Sequence, residues 1–182
     1  MLYDYFVKRQ DEAGFTLIEL VVTVALVGVL AAIAIPAFTG ESRKIKAESE
    51  VSPMFAEISV RQEQYKLENG AYLSCAAYPG TPTPSLQTWG TPAAATGWPA
   101  LRFQPPSTQV RCTYTAVAGA AGTAPAAGQA TTLFNFTGVQ ARAWFYVLAQ
   151  CNLDGTTGAD DKDSWFFMSS TDGVMQKKYT GR

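Results

Sequence analysis

Gly14-Phe15-Thr16-Leu17-Ile18-Glu19-Leu20-Val21-Val22-Thr23-Val24-Ala25-Leu26-Val27-Gly28-Val29-Leu30-Ala31-Ala32-Ile33-Ala34-Ile35-Pro36-Ala37-Phe38 is an apolar run with one carboxylate near its start. At 1.5 Å of helical rise per residue, Phe15 to Phe38 spans about 36 Å, enough for a hydrocarbon core of about 30 Å. Glu19 at that depth costs roughly 2.5–3.5 kcal/mol on insertion scales unless a partner offsets it. Nothing basic lies within the run, so the partner must come from elsewhere. Three readings follow: a plain membrane anchor, a secretory signal peptide cut near Ala32-Ile33-Ala34, or a segment that uses Glu19. For the signal peptide, Lys8 and Arg9 would form the charged start, but Asp4, Asp11 and Glu12 dilute it. A segment destined for removal also has no need of a membrane-buried carboxylate.

Bulk composition narrows the classes. The 182 residues leave, after the apolar run, enough chain for one domain. A net charge of −1 provides no global field for nucleic acid. Charge is unevenly placed: from Ala71 to Leu153 the only charged residues are Arg102, Arg111 and Arg142. Such a neutral surface suits packing among identical neighbours, and equally an ordinary loop-rich secreted domain. The absence of histidine excludes Ser-His-Asp and Cys-His catalysis and imidazole-ligated metals. The three cysteines, Cys75, Cys112 and Cys151, are widely spaced, which disfavours zinc and thioredoxin-like chemistry. In an oxidising compartment they predict one disulfide and one leftover thiol.

Gly14-Phe15-Thr16-Leu17-Ile18-Glu19 resembles the processing site of type IV pilins and of the type II secretion pseudopilins. The motif opens the apolar helix, and Pro36 follows at the distance usual in that family. The resemblance is strong over residues 14–70 and weaker beyond. It implies cleavage after Gly14 by a prepilin peptidase and N-methylation of the new terminus, Phe15. Glu19 is then fifth in the mature chain and would pair with a terminal ammonium, its own one helical turn away or a neighbouring subunit's. The leader, Met1 to Gly14, is longer and less basic than is usual, so the positive-inside bias rests on Lys8 and Arg9.

Beyond Pro36, a residue expected to kink or locally unwind the helix, helix formers dominate from Glu41 to Asn69. Ala47, Val51, Met54, Ile58 and Tyr65 mark one stripe at helical spacing, interrupted by Gln62. Pro53 predicts a second bend, and Asn69-Gly70 a stop with glycine as left-handed cap. Arg43, Lys44 and Lys46 form a basic cluster for lipid phosphates, for acids such as Glu48 and Glu50 on neighbours, or simply for solvent. The stretch 71–108 is rich in proline and reads as a long loop holding Trp89 and Trp98 as core plugs.

Strand signals follow. Val110–Val117 alternates, with Val110, Cys112, Tyr114 and Ala116 on one face. Ala118–Ala130 reads as an Ala/Gly loop. Ala143–Ala149 is apolar on both faces and so central, Trp165–Ser170 is a further strand, and Asp172-Gly173 turns into Val174–Tyr179. Cys112 in the first strand and Cys151 just past the second are the expected disulfide, worth about 3–4 kcal/mol through the unfolded chain. No metal or other cofactor is expected. Asn152, Asp154, Asp160, Asp161 and Asp163 form a weak calcium candidate, lacking the terminal glutamate and interrupted by Lys162, against the reading of a polar turn. Lys177, Lys178 and Arg182 could give nucleic acid only a weak, salt-sensitive contact.

The expectation is an α+β chain: leader 1–14, transmembrane and assembly helix 15–38, amphipathic continuation 39–69, and a globular head 70–182 with roughly four antiparallel strands. The resemblance implies a structural or minor subunit of a type IV pilus, in adhesion, twitching motility or DNA uptake. Phe15, Glu19 and Pro36 would serve assembly. The alternatives are a type II secretion pseudopilin and, from another class, a membrane-anchored extracytoplasmic binding domain. No enzymatic activity is expected. Partners would be homologous pilin subunits, the prepilin peptidase, the inner-membrane assembly platform and, before assembly, membrane lipid. The chain would lie in the bacterial inner membrane first, and in a cell-surface pilus or periplasmic pseudopilus afterwards.

Overall fold

The computed structural model describes residues 14–153 and 163–178, without the side chains of 36–41. The chain divides into two compact units, Met1–Thr39 and Gly40–Arg182. Helix α1, Leu17–Asn69, contributes to both.

In the first unit the stretch Leu17–Ile35 is long and apolar enough to cross a membrane. Its large side chains are bare, from Val22 at 50% exposed to Leu17 at 81%. The helical assignment continues through Pro36 and again through Pro53. Proline removes one backbone donor, and at Pro53, on the exposed side of α1, water can satisfy the carbonyl left over.

The second unit is an α+β head. The C-terminal part of α1 lies on a five-stranded antiparallel sheet of order β1-β4-β5-β6-β7. Its strands are β1 Cys75–Tyr78, β4 Cys112–Gly119, β5 Trp144–Cys151, β6 Ser164–Ser169 and β7 Gln176–Lys178. A separate pair, β2 Gln87–Thr88 and β3 Gln109–Val110, ties the proline-rich stretch together. The expected count of about four strands is thus one short. The missed strand, β1, hides among turn residues and is defined by its pairing, Cys75 with Ala116 and Tyr78 with Tyr114.

Ala47, Val51, Met54, Phe55 and Ile58 of α1 are buried against Cys112, Tyr114 and Ala116 of β4, Phe145, Val147 and Ala149 of β5, and Phe166 of β6. Burying that stripe is what holds a helix whose own propensity is modest. Trp89 and Trp98 fill the same core, with the Trp98 indole N–H donating to the Ala76 carbonyl at 2.8 Å. Gly97 is required where the chain passes this point: its φ is +84°, and a Cβ would meet the Ser74 carbonyl oxygen at 2.5 Å.

The opposite face of the sheet is also covered. Trp144, Tyr146 and Leu148 of β5 and Phe167 of β6 pack beneath Ala130 and Phe134 of a short helix, α2 (Gln129–Phe134), with Phe136 alongside. This two-sided burial is what the unbroken apolar run of β5 requires at the sheet centre. The helix α2 ends a stretch that reads as pure loop. Alanine and glycine give no periodic signal, and Asn135, left-handed at φ 53°, closes the turn. At the start of the same stretch Gly119 pairs with Trp144, whose indole occupies the space a Cβ would need.

Candidate functional site

Gly14 and Phe15 precede the helix, with Phe15 84% exposed. The first turn is closed locally. The Glu19 carboxylate accepts from the Thr16 backbone N–H at 3.0 Å and from its hydroxyl at 2.8 Å. The Glu19 N–H in turn donates to the Thr16 hydroxyl oxygen at 3.3 Å. This is a capping box: Thr16 is the N-cap, Glu19 the third helical residue, and two otherwise orphaned backbone donors are satisfied reciprocally. The carboxylate also meets the positive end of the helix dipole. In the uncut chain Glu19 therefore has a partner on its own turn. No residue of Leu17–Ile35 other than Glu19 is charged. Pro36 lies in the helix, with its side chain outside the described set.

Glu50 is the second carboxylate of note on α1. Its oxygens accept from the backbone N–H of Arg111 at 2.9 Å, the N–H of Cys112 at 3.2 Å and the Tyr114 hydroxyl at 2.8 Å. One side chain thus pins the helix to the start of β4. Burial pushes its carboxyl above the ordinary range, against the pull of the Arg111 N–H, the Tyr114 hydroxyl and the Cys112 N–H. Burial, followed by the charge of Glu50, raises the Tyr114 phenol as well. The sequence marks Glu50 only as a possible acid for neighbours; its position beside Val51, at the edge of the apolar stripe, was the available signal.

Gln62, which interrupts that stripe, belongs to it. It is fully buried; its amide nitrogen donates to the Leu73 carbonyl at 2.6 Å, and its oxygen accepts from the Leu73 N–H at 2.9 Å. Arg43 and Lys46 of the basic cluster line one hollow of the head. Arg43 donates to the Leu153 carbonyl at 2.9 Å, whereas Glu48 pairs within the head with Lys177 of β7 at 2.8 Å.

Cys112 and Cys151 face each other in the β4–β5 register and are joined by a disulfide, and Cys75 is a buried free thiol. Burial raises the Cys75 thiol from 9.0 to about 12, so it stays protonated and unreactive at neutral pH. Of the calcium candidates, Asn152 and Asp163 are buried, and Asp163 accepts from the Gln150 amide at 2.8 Å. Asp154, Asp160 and Asp161 lie outside the described residues, as do Lys8, Arg9 and Arg182. Among the described residues no cluster of three His, Cys, Asp or Glu could hold a metal.

Residues 9–35 match the family model described as the prokaryotic N-terminal methylation motif. The chain is 34% identical over 65 residues to the type II secretion system core protein G of Klebsiella michiganensis, covering 36% of this chain and 45% of that protein. It is 31% identical over 65 residues to the protein of the same description in Aeromonas hydrophila, covering 36% and 45%. For the one in Pseudomonas aeruginosa the figures are 36% over 67 residues, 37% and 46%. The chain thus spans just under half the length of the curated relatives it matches. No solved structure gives a significant match.

Proposed function

We propose that this type IV pilin-like chain, which has pseudopilins among its relatives, is a filament subunit: a structural or minor pilin of a type IV pilus. It would polymerise through its N-terminal helix after cleavage following Gly14. The observation that carries the reading is the stretch Leu17–Ile35, bare within its own unit and charged only at Glu19. A bare apolar helix needs lipid or other helices around it, and a membrane followed by a filament supplies each in turn. The methylation motif and the apolar helix together fit a membrane-anchored subunit. Its partners in this reading are like subunits and a prepilin peptidase. The role is structural, since a chain without histidine and with so neutral a head offers little general acid–base chemistry.

The second reading, a type II secretion pseudopilin, is favoured by the description of the relatives. Their similarity covers little more than a third of this chain, so the head is left to decide between the two.

Mass spectrometry of sheared surface filaments tests the proposal. The expected result is the chain with N-methylated Phe15 as its N-terminus, its abundance deciding between structural and minor subunit. A Glu19→Val variant is expected to be cleaved and membrane-inserted yet missing from the filaments. A terminus at Met1 would overturn the processing, and normal incorporation of the variant would overturn the role of Glu19. Absence from the surface, with a requirement for protein secretion, would move the assignment to the pseudopilin.

A further inference from the structure

Three positive side chains of the head meet at one concavity. Arg43 and Lys46 of α1 and Arg111, between β3 and β4, line a pocket of about 220 Å³ completed by Pro84, Asn152 and Leu153. No carboxylate lines it among the described residues. One cation and the backbone of a second are held in place. Arg43 donates to the Leu153 carbonyl at 2.9 Å, and the backbone of Arg111 is fixed by Glu50, with both carboxylate oxygens 2.9 Å from its N–H. Glu50 makes no hydrogen bond to the guanidinium, since its hydrogen bonds come from two backbone N–H groups and the Tyr114 hydroxyl, although the Arg111 charge is close enough to favour its ionised form.

Membrane topology does not account for these charges. Arg43 follows Ile35, the end of the apolar span, by eight residues of chain. Cations just beyond the span on the head side oppose the positive-inside bias, which Lys8 and Arg9 must then set against them. Cations lining one hollow also repel one another, and an anion offsets that repulsion. Two guanidinium groups and an ammonium around a small hollow match a phosphate, whose oxygens accept forked guanidinium bonds.

We propose that the Arg43–Lys46–Arg111 pocket binds a phosphate oxyanion, supplied by an anionic phospholipid headgroup or by free phosphate. The proposal rests on membrane anchoring and not on filament assembly, so the two can fail separately.

The test uses the full chain in detergent micelles doped with phosphatidylglycerol or phosphatidylcholine, read by native mass spectrometry. One phosphatidylglycerol is expected to be retained in preference to phosphatidylcholine. Each of Arg111→Gln and Lys46→Gln should lower retention about fivefold, the effect of one cation near an anionic surface. Lys46 makes no side-chain hydrogen bond or ion pair among the described residues, so its variant keeps the test valid if Arg111→Gln unfolds. Arg102→Gln removes the same charge from an exposed site, 73% accessible, and should leave retention unchanged. Inorganic phosphate, compared with chloride at equal ionic strength, separates the sources. A rise in the unfolding midpoint that vanishes in the pocket variants, without lipid retention, assigns the site to free phosphate. Retention equal in all variants would reveal only diffuse attraction and would overturn the pocket. Failure of both phosphate probes, with pocket variants excluded from filaments, would also overturn it, in favour of a neighbouring subunit's carboxylate.

Discussion

Two carboxylates of helix α1, Glu19 and Glu50, sit in different settings. Glu19 is satisfied by Thr16, three residues away, and the side chains around it are bare. Glu50 is satisfied by groups more than sixty residues away, at the start of β4, and its neighbour Val51 is fully buried. The first half of the helix is locally complete but unpacked; the second half exists through packing. Changes at Glu19 should therefore be invisible to head stability and decisive for assembly, while changes around Glu50 should do the reverse.

Five substitutions would break or sharpen this contrast. All four tryptophans, Trp89, Trp98, Trp144 and Trp165, lie in the head, so their fluorescence in urea reports on the head alone. The largest effect is expected from removing the Cys112–Cys151 disulfide. With a sequence separation of 39, replacing both cysteines by alanine should cost about 4 kcal/mol on the chain-entropy model. Next, Glu50→Ala should cost about 3 kcal/mol, because two backbone donors and a phenol lose their acceptor. Glu19→Ala should leave the same midpoint in place; a matched loss would erase the distinction between the halves. Gln62→Leu keeps the apolar stripe but strands both polar groups of Leu73, and should cost about 1–2 kcal/mol.

The smallest non-zero effect concerns Cys75. Its folded-state pKa, about 12, lies above the ordinary 9.0. The thiol's contribution is therefore fully present below pH 9 and is lost as pH rises towards 12, because only the unfolded chain ionises in that window. Cys75→Ala should flatten the alkaline fall in stability. In the folded wild type at pH 8, alkylation of Cys75 should follow the rate of unfolding. Fast labelling under native conditions would mean an accessible thiol.

What could be read from the sequence divides less cleanly. The stripe Ala47, Val51, Met54 and Ile58 and the two-faced apolar run of β5 are legible, whereas the local Thr16 partner of Glu19 went unread because only a charged partner was sought. Gln62 looked like a gap because its partner is the backbone of Leu73, a group with no sequence signature. The role of Glu50 depends on a strand that arrives sixty residues later. Strand β1 and helix α2 carry little periodicity of their own, so each was hidden until tertiary pairing defined it. The aspartates at 154, 160 and 161 lie outside the described residues.

The edges of the main sheet have a consequence for crowding. Strand β1 has four residues and runs straight into Pro79, and β7 has three, two of them lysines, one tied back to Glu48. In the proposed filament many heads would lie side by side at high local concentration, where a long open edge would recruit its neighbour strand to strand. A short edge that ends in proline and an edge carrying lysines give such pairing little to extend. Under that proposal, copies of the head would sit against one another without fusing their sheets.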